Sequence, residues 1–87
     1  MVFYVYILES QSTGRFYIGQ TDNLERRLDQ HNNPLYYGSK TTKRFEGPWI
    51  LKYSETFDSR TEAIKREKQI KRWKNRSAII KLIDSSR

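Results

Sequence analysis

The sequence predicts an α+β fold of order β-β-α-β-α-α, a three-stranded antiparallel-type sheet flanked by helices, and three observations carry that reading. Runs rich in β-branched and aromatic residues recur at positions 2–8, 15–19 and 49–57. Apolar stripes at helical spacing follow the second and third of these runs, each opened by a capping-type sequence. No repeat, low-complexity tract or linker interrupts the chain, so residues 1–87 read as one domain.

The first two runs are joined by the turn-forming stretch Ser10-Gln11-Ser12-Thr13-Gly14, which predicts a hairpin. Alternation puts Tyr4, Tyr6 and Leu8 on one face of the first strand and Phe3, Val5 and Ile7 on the other, so both faces are covered and helices pack on the sheet. Asp22 followed by Glu25 has the form of a capping box, and a helix over 23–31 follows with the stripe Leu24, Leu28. Arg27 and His31 lie one turn apart beside that stripe, while Arg26, Asp29 and Gln30 point elsewhere. Asn32-Asn33-Pro34 ends the helix. Residues 35–48 show no period and read as a long loop carrying Lys40, Lys43 and Arg44.

The third strand, 49–57, places Trp49, Leu51, Tyr53 and Phe57 on one side and Lys52, Ser54 and Thr56 mostly on the other. Ser59 and Glu62 form a capping box for a helix running to Trp73. A break at Lys74-Asn75-Arg76 precedes a last helix over 77–84.

A chain of this length buries a modest share of its surface, and two Trp, six Tyr and four Phe supply the bulk its core needs. Cysteine is absent, which excludes disulfides and thiolate metal sites and suits a cytoplasmic setting. The apolar run at 2–8 is too short to span a membrane and meets Glu9 directly, so it is a strand and no membrane partner is expected. The formal charge is +7; residues 1–58 hold seven Lys/Arg against seven Asp/Glu, whereas 59–87 hold ten against three. A one-sided basic field favours polyanions, although a solvated helix face, or a basic surface for a protein partner, accounts for the same charge.

Glu67 is the most informative residue. Its helical neighbours Ala63, Ile64 and Ile70 put a carboxylate in the apolar stripe, where it needs a cation, a proton or an edge position that water reaches. A metal ion, Arg27 or a lysine each satisfies that need. Arg27 repeats the pattern on the earlier helix; a guanidinium against the core either clamps a phosphate or pairs with Glu67. His31, the lone histidine, offers a phosphate hydrogen bond, a proton shuttle or a helix cap. Tyr4, Tyr6 and Tyr17 are, one by one, ordinary strand tyrosines. With no Gly-rich phosphate loop, paired-histidine metal motif or nucleophile elbow, the remaining chemistry is carboxylate, arginine, tyrosine and a hard metal ion acting on phosphate.

Tyr4-Val5-Tyr6, ten residues, then Tyr17-Ile18-Gly19 resembles the paired motif that names the GIY-YIG nuclease superfamily. The stretch from Thr21 through Arg27 and Leu28 to His31 resembles the superfamily's arginine motif, and Ala63 to Glu67 its metal-binding glutamate segment. Gly38 to Arg44, Pro48-Trp49, Ile70-Lys71-Arg72-Trp73 and Lys81-Leu82-Ile83 extend the likeness to the small stand-alone bacterial subgroup. Tyr4 departs from the glycine that opens the motif, and Asn75 is the only asparagine beyond position 33 to stand for one the family carries after its glutamate helix.

The resemblance implies a metal-dependent endonuclease, using Mg²⁺ or Mn²⁺, that hydrolyses phosphodiester bonds in nucleic acid, read as DNA. Tyr17 would be the general base or water-orienting hydroxyl and Tyr6 a second hydroxyl at the scissile phosphate. Arg27 would stabilise the developing charge, His31 would assist proton transfer or phosphate contact, and Glu67 would hold the metal. Lys40, Lys43 and Arg44 in the loop, with Lys68, Lys71, Arg72 and Lys74 on the following helix, would grip the backbone. The family's use of additional domains for target choice leaves a place for a protein partner or targeting subunit, and a non-catalytic or partner-dependent binding module is the alternative.

Overall fold

The computed structural model describes residues 1–33 and 48–85 and contains, in order, β1 (Phe3–Ser10), β2 (Phe16–Thr21), α1 (Leu24–Asn32), β3 (Trp49–Phe57), α2 (Arg60–Trp73) and α3 (Arg76–Ser85). The strands form one sheet of order β2-β1-β3, antiparallel at both junctions, as the sequence predicts. β1 is central and therefore buried on both faces: Val5 and Ile7 are covered on one side, Tyr6 and Leu8 on the other. The β1–β2 turn is closed by the buried Ser10, whose hydroxyl accepts from the Ser12 and Thr13 amides at 3.3 and 3.1 Å. Gly14 takes φ +76° in this turn, a conformation that strains any residue with a Cβ.

The two faces carry different helices. Val5, Ile7 and Ile18 pack with Ala63 and Ile70 of α2 and Ile79 and Ile83 of α3, forming the larger apolar core. Tyr6, Leu8 and Trp49 pack with Tyr17 and with Leu24 and Leu28 of α1. The smaller cluster holds the tyrosine hydroxyls and the inward face of α1, so it is where chemistry and packing meet.

β3 corrects the alternation expected of it. Ile7 pairs with Tyr53 and Leu8 with Leu51, so Lys52 is an extra residue on that strand and the register shifts there. Trp49 therefore joins the Tyr6 face while Tyr53 and Phe57 join the opposite core. Counting by twos fails across an inserted residue, which sends everything beyond it to the other face.

Helix ends follow the capping rules with one reassignment. The N-cap of α1 is Asn23, whose side chain accepts from the Arg26 amide at 3.0 Å; Asp22 instead binds the Arg26 guanidinium at 3.0 Å. Ser59 caps α2 through the Glu62 amide at 3.2 Å, as expected. Lys74 ends α2 in the left-handed conformation, φ 46°, and Asn75 accepts from the Ser77 amide at 2.9 Å to begin α3 one residue earlier than expected. Asn32, read from sequence only as part of a helix stop, ties α1 to β3: its side-chain amide donates to the Trp49 carbonyl at 3.0 Å and its oxygen accepts from the Trp49 amide at 2.7 Å. No helix among the described residues is long and apolar enough to cross a membrane.

Candidate functional site

The strand register assembles the site's floor. Gly19 lies opposite Tyr6 and Tyr17 opposite Leu8, so the two tyrosines share one face of adjacent strands with ring centroids 6.2 Å apart. A Cβ at Gly19 would stand 2.5 Å from the Tyr6 hydroxyl oxygen and 3.1 Å from the Tyr17 ring, which no packed side chain tolerates. Glycine at this position thus sets where the Tyr6 hydroxyl sits.

α1 delivers Arg27 and His31 onto this floor from one helical face. The Arg27 Nε donates to the Tyr6 hydroxyl at 3.2 Å, and its Nη1 donates to the Gln30 side chain at 3.1 Å, fixing the guanidinium at both ends. His31 is fully buried, with Nε2 at 3.2 Å from the same hydroxyl and its ring 4.5 Å from that of Tyr17. Arg27 supplies a proton to the Tyr6 oxygen, and the same hydroxyl shares a hydrogen bond with His31 Nε2 whose direction follows the histidine tautomer. That Nδ1 and the Trp49 indole nitrogen are buried without a hydrogen-bond partner among the described residues.

Burial pushes the His31 imidazole down to about 4, with the Arg27 charge adding to the effect, so the ring is neutral near pH 7. Burial likewise pushes the Tyr6 phenol up to about 12 against the pull of Arg27, with the Tyr17 and Glu67 charges adding to the rise. Burial works against the Arg27 charge, but the hydroxyls of Tyr6 and Tyr17 outweigh it and hold the guanidinium above its ordinary value. The same interactions show that Arg27 faces both tyrosines and that Glu67 is within electrostatic reach of Tyr6.

Glu67 comes from α2, the helix packed with α3 against the Val5 and Ile7 face of the sheet. Its side chain is 19% exposed and its carboxylate accepts from Lys71 Nζ at 2.8 Å. The lysine pairing allowed by the sequence is the one observed; the ion pairs among the described residues include none between Glu67 and Arg27. Tyr17, Lys71 and Lys74 line one shallow groove beside it, floored by Phe16, Ile70 and Ile79. Lys68 and Arg72 are exposed one strip further round α2, and Lys40, Lys43 and Arg44 lie outside the described residues.

Two of the expected site residues lie deep in the protein. Tyr6 is 1% exposed and its hydroxyl is held by Arg27 and His31. His31 has no exposed surface. Asn75 is spent on the α3 backbone, which sets it apart from this site. Sequence reasoning missed Gly19's steric part, Gln30 as the second anchor of Arg27, and Trp49 as a wall 6.3 Å from Tyr17. For Gln30 this is a correction: expected to point away from Arg27, it lies one turn beyond it on the helix and accepts from its guanidinium.

Glu67 fits a hard divalent cation of the magnesium kind. No group of three or more His, Asp or Glu gathers among the described residues. A single carboxylate beside a basic groove suits an ion that keeps most of its water and shares phosphate oxygens with a substrate.

Comparison with known proteins bears on this arrangement. The GIY-YIG catalytic domain matches residues 2–80. A UPF0213 protein of Staphylococcus saprophyticus is 40% identical over 80 residues, covering 92% of each chain. The structure-specific endonuclease subunit SLX1 of Meyerozyma guilliermondii is 42% identical over 66 residues, covering 72% of this chain and 22% of that one. The solution structure of a UPF0213 protein from Bacillus halodurans superposes with a TM-score of 0.58 at 34% identity, over 97% of this chain and 84% of that chain.

Proposed function

The chain belongs to the GIY-YIG family, and we propose that it is a metal-dependent endonuclease domain that hydrolyses phosphodiester bonds in DNA. What supports this reading most is Arg27, held by Tyr6 and Gln30 and interacting with Tyr17, with Glu67 near enough for its charge to act on Tyr6. Phosphodiester hydrolysis requires a positioned water, neutralised charge on the phosphate and a stabilised leaving oxygen. Tyr17, half-buried and lining the open groove, orients the attacking water or accepts its proton. Arg27, immobilised by Tyr6 and Gln30, binds the non-bridging oxygens as their charge grows. Glu67 would hold one Mg²⁺ or Mn²⁺, which supplies charge neutralisation at the leaving oxygen. His31 acts as a positioning residue through Tyr6, and Lys71 and Lys74 hold the adjoining backbone. A cytoplasmic setting, suggested by the absence of cysteine, belongs to the same proposal.

The test is incubation of purified protein with single-stranded, duplex and branched DNA in Mg²⁺. Cleavage is expected to stop with chelator and to fall about a hundredfold or more in Arg27→Ala and in Glu67→Ala. Cleavage that persists in either variant or in chelator contradicts the mechanism. One comparison favours a second reading: the SLX1 relative is named a subunit of an endonuclease, and a domain that grips DNA but cuts only with a partner would give tight, salt-sensitive binding without turnover.

A further inference from the structure

Lys71 pairs with one carboxylate and also faces an open groove. Its ammonium lies 2.8 Å from Glu67 Oε2, yet the side chain remains 51% exposed and lines the groove of about 310 Å³ that it shares with Tyr17 and Lys74. Glu67 and Lys71 stand at positions i and i+4 of α2, and Lys74, the C-cap residue just beyond the helix, brings a second cation to the groove. The floor of the groove is apolar, built from Phe16, Ile70 and Ile79, and its rim is basic, which complements a nucleotide with a base to bury and a phosphate to neutralise. An ammonium on a flexible stem can serve either carboxylate or phosphate with a small change of rotamer.

We propose that Lys71 makes metal binding depend on substrate: in the free protein it occupies the Glu67 carboxylate, and a DNA phosphate entering the groove draws it away and opens the carboxylate to the divalent ion. This rests on the reading of Glu67 as the metal ligand. The coupling follows from charge balance. A carboxylate already paired with an ammonium binds a cation weakly, and a phosphate both removes that competitor and offers the ion further oxygen ligands. An exposed helix pair of this kind is weak enough to be displaced. The arrangement keeps the metal from settling on the free protein and assembles the complete site only on nucleic acid.

Mn²⁺ affinity, measured by calorimetry and by the electron paramagnetic resonance of the free ion, tests this with and without a non-hydrolysable phosphorothioate oligonucleotide at saturation. Lys71→Met is expected to bind Mn²⁺ about five- to tenfold more tightly than wild type in the absence of oligonucleotide, and to gain correspondingly less when it is added. Lys65→Met, which removes a cation two residues from Glu67 that pairs with Glu62 instead, controls for general charge and is expected to change the affinity by less than about twofold. Equal affinity of wild type and Lys71→Met without oligonucleotide, or an equal response of Lys65→Met, overturns the Lys71 proposal. Undiminished Mn²⁺ binding by Glu67→Gln overturns instead the assignment of Glu67 as ligand, so the two failures are distinguishable.

Discussion

Arg27 illustrates how a residue that looks surplus by sequence becomes central by geometry. Its neighbour Arg26 supplies an exposed charge that pairs with Asp22, whereas Arg27 is fixed by Tyr6 and Gln30 with its guanidinium facing Tyr17. That precision depends on Gly19. Gly19→Ala is expected to displace the Tyr6 hydroxyl, and Arg27 with it, and to lower single-turnover cleavage by about a hundredfold while DNA affinity changes little. An unchanged cleavage rate in a folded Gly19→Ala protein would show that the Tyr6 anchor is dispensable. His31 gives a pH signature. Its folded value near 4 lies below the ordinary 6.5, so the unfolded chain takes up the proton first and stability falls as pH drops from about 6.5 toward 4. The loss approaches roughly 3 kcal/mol and is flat above that window. Urea unfolding across this range is expected to show the slope in wild type and a shallower one in His31→Gln; identical slopes would contradict the buried neutral assignment. Arginine and glutamate beside apolar stripes were legible in the sequence because helical spacing exposes a misplaced charge. The burial of His31 was not, since a histidine at a helix end has the same local pattern whether it is covered or open.

At the scale of elements, β3 decides which residues reach the site. The extra residue at Lys52 turns Trp49 toward Tyr17 and His31 while Tyr53 stays with the opposite core, where it donates to Glu55, itself bound by Arg66 at 2.9 Å. Deleting Lys52 is therefore expected to prevent folding, because it forces either Trp49 or Tyr53 to the wrong face, whereas Lys52→Ala keeps the bulge and the fold. Amide dispersion in nuclear magnetic resonance spectra reads the difference, and a folded deletion variant would contradict the register. The element order and the Ser59 cap were within reach of sequence rules, and the α1 cap was placed one residue early at Asp22; the bulge was out of reach, because Lys52 has no local feature that marks it as inserted. The Asn32 bridge to Trp49 was hidden for a different reason, joining positions 17 residues apart.

Over the whole molecule, the two faces of the sheet carry different clusters. The aliphatic core lies under α2 and α3, the tyrosine cluster lies under α1 with Arg27 bound to Tyr6, and Glu67 on α2 is near enough for its charge to act on Tyr6. The basic excess of the last 29 residues reaches the groove beside Tyr17 through Lys71 and Lys74, so part of the charge asymmetry seen in composition faces the proposed site. The central claim, one metal-dependent site built from two faces of a sheet, is tested most directly by paramagnetic broadening. Mn²⁺ is added to isotopically labelled protein saturated with a non-hydrolysable oligonucleotide. Resonances of Tyr17, Arg27, Tyr6 and Glu67 are expected to broaden together, and to stay sharp in Glu67→Gln. Broadening centred elsewhere on the molecule, or unchanged by that substitution, would contradict the account.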